Sequence, residues 1–180
     1  MTFYKLSWTK FYRDCLLLGK KIKNHSEKID RIIAISRGGL VPARILSDYL
    51  QTPISNIVIS SYLNIKQIRE PEIIEVANLD LKNQTILIVD EVSDTGKTFL
   101  RALKHFKNHP VKKILTASPY IKPKTSFFPD FYQKTIDAWI VFPYDARETY
   151  EAIFAQEKNK EKTLKKMLNI GFKKWELEIL

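Results

Sequence analysis

Two hydrophobic patterns take turns along this chain. Between Ser7 and Asn24, Trp8, Phe11, Tyr12, Cys15, Leu18 and Ile22 recur at intervals of three and four, which predicts an amphipathic helix capped by Ser7 or Thr9. Arg31-Ile-Ile-Ala-Ile-Ser36 and Thr85-Ile-Leu-Ile-Val89 are instead unbroken apolar runs. Runs of that kind suit strands buried on both faces, as in a parallel sheet covered by helices. Asn56 to Tyr62, Val111 to Tyr120 and a short piece within Asp137 to Asp145 read as further strands. Helices are expected from Pro42, which has no N–H to lose in a first helical turn, through Leu50, and from Phe99 to Phe106. Leu63 to Leu79, with mixed charge and few regular signals, reads as a long loop of the lid or binding type. Strands alternating with helices predict an α/β fold with a central, mostly parallel β-sheet flanked by helices.

Composition narrows this picture. A chain of 180 residues is long enough for one domain with a substantial core. Residues 1–155 are expected to form it, with 156–180 a basic helical extension packed on the same domain. In that extension Met167, Leu168, Ile170, Phe172 and Trp175 call for burial, and Gly171 interrupts the helix. The 44% hydrophobic content argues against disorder, and no apolar run approaches a membrane span. Charges at Lys5, Lys10, Arg13 and Asp14 break up any signal-like start, so a soluble, cytoplasmic protein is expected. The lone Cys15 excludes an internal disulfide and sits in the apolar pattern of the first helix.

The net charge of +10 favours an anionic partner, whether nucleic acid, a membrane surface or a phosphorylated small molecule. Half of it lies in residues 157–174, where seven lysines face only Glu157 and Glu161. Solvated helix faces account for most such runs. No zinc-ligand spacing or aromatic-basic RNA-binding signature accompanies this one.

The chemistry concentrates after two strands. Thr85 to Val89 runs into the carboxylate pair Asp90 and Glu91, then into Asp94-Thr95-Gly96-Lys97-Thr98 ahead of a helix. Ligands of parallel sheets sit at the carboxyl ends of the strands. Gly96 permits a tight turn and close approach, while Thr95, Thr98 and the amides opening the helix suit a phosphate. Gly96-Lys97-Thr98 is not the end of a nucleoside-triphosphate P-loop, because Glu91 occupies the position where that motif needs glycine. Adjacent carboxylates at a strand end can accept hydrogen bonds from ribose hydroxyls and hold magnesium. A pentose phosphate would satisfy both halves, and an ordinary strand-to-helix turn capped by Asp94 is the plainer alternative. Ser36-Arg37-Gly38-Gly39 after the earlier strand offers a second anion site, with converging amides and a fixed positive charge. Lys122, just past a strand end and followed by Pro123, could donate to a ligand carbonyl, and Trp139 offers a flat face to a base.

Ile88-Val-Asp-Glu-Val-Ser-Asp-Thr-Gly-Lys-Thr98 resembles the phosphoribosyl pyrophosphate (PRPP) motif of the type I phosphoribosyltransferases, with Asp94 in the form used by 6-oxopurine enzymes. Ser36-Arg-Gly-Gly-Leu-Val-Pro42 is similar to the pyrophosphate loop of bacterial xanthine-guanine enzymes, and Tyr120-Ile-Lys-Pro123 and the stretch from Pro129 to Pro143 resemble archaeal-type hypoxanthine-guanine enzymes. The resemblance covers residues 5–150 and implies the type I phosphoribosyltransferase fold with a small hood. It implies PRPP binding by Ser36, Arg37, Gly38, Gly39, Arg69, Asp90, Glu91, Asp94, Thr95, Gly96, Lys97 and Thr98. Asp94 would be catalytic beside N7 of the base, Asp90 and Glu91 would hold Mg2+, and Asp94, Lys122, Trp139, Ile140 and Asp145 would contact the base. The implied reaction transfers 5-phosphoribosyl from PRPP to N9 of guanine, xanthine or hypoxanthine in purine salvage, in a homodimer or homotetramer. The bacterial xanthine-guanine enzymes that this chain resembles carry two aspartates where Asp90 and Glu91 stand here, and the stretch around Arg69 is one residue longer than theirs. A PRPP-sensing nucleic-acid-binding regulator of the same fold is the rival from another class.

Overall fold

The computed structural model describes residues 2–63, 66–76 and 79–180, and the backbone alone along residues 61–63 and 66–69. It divides into two compact units, residues 12–136 and residues 1–11 with 137–180.

The larger unit holds the sheet. Its strands are β2 (Arg31–Ser36), β3 (Ile54–Leu63), β4 (Lys66–Val76), β5 (Thr85–Val89), β6 (Val92–Ser93), β7 (Lys113–Ile121) and β8 (Phe131–Thr135), following β1 (Phe3–Lys5) of the smaller unit. The order across the sheet is β4-β3-β2-β5-β7-β6, with β8 also on β7. Every pair is parallel except β3 with β4. Helices α1 (Trp8–Lys23), α2 (Leu40–Leu50) and α3 (Lys97–Phe106) accompany these strands.

Because successive residues of a strand point to opposite faces, the unbroken apolar runs feed two cores. Ile32, Ala34, Leu87 and Val89 pack with Leu18 and Ile22 of α1 and Ala43 and Leu46 of α2. Ile33, Ile35, Ile86 and Ile88 pack on the other face with Phe99, Ala102 and Phe106 of α3. The helix after β2 therefore covers one face and the helix after β5 the other. Between these adjacent strands the chain departs in opposite directions, which opens a crevice at their carboxyl ends, the usual ligand position of such sheets.

The segment from Leu63 to Leu79, expected as a loop, instead supplies β4, antiparallel to β3 with two register shifts. Its order comes from hydrogen bonding to β3 at the sheet edge, which a mixed-charge sequence does not announce. Strands β1, β6 and β8 likewise lie outside the sequence-predicted set.

In the smaller unit, β1 runs parallel to β9 (Trp139–Val141), and helices α4 (Ala146–Glu157), α5 (Lys160–Ile170) and α6 (Lys174–Glu178) follow. Val141, Ile153, Met167 and Phe172 form its core, so the basic tail contributes buried side chains, whereas Leu168 and Trp175, also expected to be buried, are exposed. Gly171 ends α5 at φ +107°, a left-handed conformation that glycine adopts without strain. Among the described residues, no helix is long and apolar enough to cross a membrane.

Candidate active site

The crevice between β2 and β5 is built from two turns pressed together. Gly39 N–H donates to Ile35 O at 2.9 Å, folding the chain sharply back over the end of β2. A Cβ on Gly39 would lie 2.4 Å from Val89 O and 2.7 Å from Ile35 O, and one on Gly38 would lie 1.9 Å from the Glu91 carboxyl carbon. Only glycines let this turn touch both the strand end and the acidic pair. Ser36 Oγ accepts from Asn56 Nδ2 of β3 at 3.3 Å, and Arg37 is exposed at the rim.

Asp90 is 8% exposed; its backbone N–H donates to Ala117 O of β7, and its Oδ1 accepts from Glu91 N–H at 3.0 Å. Burial first, and the neighbouring Glu91 charge second, push the Asp90 carboxyl well above its ordinary value. Glu91 Oε2 is buried and has no hydrogen-bond partner among the described residues. Two crowded carboxylates, one with an orphaned oxygen, form a donor set suited to hydroxyl groups or a hard cation.

The phosphate-loop candidate follows. Gly96, at φ +84°, is the N-cap of α3, so the capping role weighed for Asp94 is not the one it plays. Asp94 and Thr95 are exposed, and Asp94 lies 3.9 Å from Lys124 Nζ. Thr95 Oγ1 accepts from Lys97 N–H at 3.4 Å, and Lys97 Nζ reaches Glu70 of β4 at 3.6 Å. The amides opening α3 carry the positive end of the helix dipole.

The larger unit thus brings together Ser36, Arg37, Gly38, Gly39, Asp90, Glu91, Asp94, Thr95, Gly96, Lys97 and Thr98, with Lys122 directly after β7. Lys122 is half-buried, and its N–H donates to Ser93 O at 3.0 Å. The side chain of Arg69 lies outside the described residues. Trp139, Ile140 and Asp145 belong to the smaller unit. There Trp139 is exposed on β9, Ile140 is buried beside it, and Asp145 opens α4. Lys124, Thr125, Ser126 and Phe127 also touch residues 93–96, and sequence reasoning passed over them because they look like any polar turn.

The phosphoribosyl transferase domain, as a family, matches residues 6–151. The chain belongs to the phosphoribosyltransferases, a family of enzymes, and has their type I fold. It is similar to a crystal structure of a purine phosphoribosyltransferase from Pyrococcus horikoshii, at 37% identity over 80% of this chain and 95% of that one, with a TM-score of 0.71. A hypothetical protein from Neisseria gonorrhoeae with bound ppGpp matches at 27% identity over 81% and 90% of the two chains, with a TM-score of 0.73. A xanthine-guanine-hypoxanthine phosphoribosyltransferase from Helicobacter pylori matches at 26% identity over 81% and 97%, with a TM-score of 0.67.

Proposed function

We propose that this protein transfers the 5-phosphoribosyl group of PRPP to N9 of a 6-oxopurine, releasing pyrophosphate. The observation that supports this reading is that the Gly38-Gly39 turn is packed directly on Glu91, so that a glycine turn and a carboxylate pair share one crevice of the fold. PRPP has that sequence of chemistry: a diphosphate, two ribose hydroxyls and a 5-phosphate. The P. horikoshii relative is a purine enzyme, the H. pylori one acts on the three 6-oxopurines, and the N. gonorrhoeae protein holds ppGpp, a guanine nucleotide.

In this reading, Thr95 to Thr98 and the amides opening α3 bind the 5-phosphate, and Ser36 to Gly39, with Arg69, take the pyrophosphate. Asp90 and Glu91 accept hydrogen bonds from the ribose hydroxyls. They also suit Mg2+ as carboxylate ligands, the orphaned Glu91 Oε2 being the free donor, with substrate oxygens completing the shell. When bound, the ion supplies positive charge against the leaving pyrophosphate.

The bond from ribose C1 to the pyrophosphate oxygen breaks and a bond from C1 to N9 of the base forms. Positive charge develops on the ribose in between, so the protein acts by positioning and by electrostatics. Asp94 accepts the proton the purine loses, or a hydrogen bond from N7, which raises the nucleophilicity of N9. Lys122 donates to the 6-oxo group and so disfavours adenine. Trp139, Ile140 and Asp145 keep their assignment to the base from sequence resemblance.

Incubation with PRPP, Mg2+ and each of guanine, hypoxanthine, xanthine and adenine, followed by nucleotide detection, tests this. Product is expected with at least one 6-oxopurine and little with adenine. No product with any 6-oxopurine, together with a salt-sensitive affinity for DNA or RNA, would reverse the assignment in favour of a regulator.

A further inference from the structure

The turn after β7 meets the phosphate loop residue by residue. Lys122 N–H donates to Ser93 O at 3.0 Å, Ser93 Oγ lies 2.9 Å from Thr125 Oγ1, and Ser93 Oγ donates to Phe127 O at 2.8 Å. Lys124 Nζ lies 3.9 Å from Asp94 Oδ1. Thr95 O accepts twice from Ser126, from its N–H at 3.1 Å and its Oγ at 2.6 Å. Gly96 is packed so closely on Phe127 that a Cβ would lie 2.6 Å from the Phe127 Cβ and 2.7 Å from its nitrogen. The Phe127 ring stacks on Phe99 of α3, with centroids 5.3 Å apart and planes at 24°.

We propose that residues 122–127 are a brace that sets the conformation of the phosphate loop, with Ser126 as its positioning residue. The Thr95–Gly96 peptide is trans. In a trans peptide the C=O and the N–H point opposite ways. Holding Thr95 O from the brace side with two donors therefore aims the Gly96 N–H away from the brace, at the mouth of α3 where the 5-phosphate is assigned. Thr125 sits beneath this contact, buried against Ser93. Ser126 is exposed, so its hydroxyl is tied to the loop without being part of the core. The brace starts at Lys122, so the turn that carries the base-reading lysine also sets the loop that holds the sugar phosphate.

This inference rests on the assignment of residues 94–98 to PRPP, and the test separates the two. Calorimetric titration with Mg2+ and PRPP is carried out on the wild-type chain, Ser126→Ala and Ser126→Thr, with thermal unfolding of each and steady-state kinetics. One lost hydrogen bond in Ser126→Ala should weaken PRPP binding about 3- to 10-fold. KM for PRPP should rise by the same factor, with kcat within twofold and an unchanged unfolding temperature, and Ser126→Thr should restore binding. Wild-type binding matched by equal binding in Ser126→Ala overturns the brace alone. A fall in unfolding temperature with unchanged affinity also overturns it, by reducing Ser126 to a structural contact. A wild-type chain that binds no PRPP overturns the functional assignment and the brace together.

Discussion

Gly38 and Gly39 occupy one turn and fail differently when given a side chain. A methyl on Gly38 meets the Glu91 carboxyl group, the far end of a flexible side chain, which can swing aside. A methyl on Gly39 meets Val89 O and Ile35 O, backbone atoms that belong to hydrogen-bonded strands and cannot retreat. Gly38→Ala should therefore unfold near the wild-type temperature while losing at least about tenfold in PRPP affinity, since it displaces Glu91 and crowds the turn proposed for the pyrophosphate. Gly39→Ala should lose about 1–3 kcal/mol of stability, the usual cost of overpacking. Thermal unfolding and PRPP titration of both variants check this, and the reverse pattern would refute the packing described. Asp94 is the complementary case, since its side chain is 56% exposed and caps no helix. Asp94→Asn should leave the fold and PRPP binding intact and lower kcat by roughly 10²–10⁴-fold, the size of an acid-base contribution. Loss of PRPP binding in that variant would mean that Asp94 supports the loop and takes no part in proton transfer.

At the scale of elements, legibility followed burial. Strands β2 and β5 are covered on both faces, so they are apolar without interruption, and the change to Asp90-Glu91 or Arg37-Gly38-Gly39 at their ends was plain. Strand β4 has β3 as its neighbour, carries two register shifts and exposes the apolar Ile74 next to Glu75, so the alternation begun at residues 70–73 breaks off at once. The two residues of β6 are too few to carry a pattern, and β8 is exposed at two of its five positions. The same logic hid the brace: Thr125 and Ser126 find their partners in Ser93 and Thr95, about thirty residues earlier, and such long-range pairing has no local signature. Helix α1 was legible because Phe11, Cys15, Leu18 and Ile22 of its predicted stripe are buried, although Trp8 and Tyr12 of the same stripe are exposed. Burial, and then the Asp14 charge, push the Cys15 thiol up from 9.0 to about 12. A raised folded value means that the protein gains stability from the neutral thiol below pH 9 and loses it as the pH rises towards 12. At pH 8 the thiol is therefore far less ionised in the folded chain than in the unfolded chain. A disulfide reagent should accordingly react with the unfolded chain promptly and with the folded chain only as fast as it opens. Rapid labelling of the folded protein at pH 8 would contradict the burial of Cys15.

For the molecule as a whole, the question is whether the basic tail is an appendage that carries charge or a part of the fold. Seven lysines over residues 158–174 invite the first answer. The packing supports the second: Met167 of α5 is fully buried and Phe172 nearly so, in one cluster with Val141 of β9 and Ile153 of α4. Lys5 of β1 donates to Gly171 O at 3.2 Å and lies 4.4 Å from the centre of the Phe172 ring. The lysines and the core residues occupy different faces of α5, since Lys162, Lys165 and Lys166 are exposed where Thr163 and Met167 are buried. One helix thus presents charge to solvent and closes a core, and substitutions can separate the two roles. Met167→Ala removes a buried side chain at the centre of the smaller unit and should cost about 2–5 kcal/mol, read as a fall in the unfolding temperature. Lys162→Gln with Lys165→Gln removes two exposed positive charges and should stay within about 0.5 kcal/mol of wild type, because surface substitutions of this kind seldom do more. If the tail only carried charge, Met167→Ala would be as silent as the double lysine variant, and the assignment of the tail to the core of the smaller unit would fail.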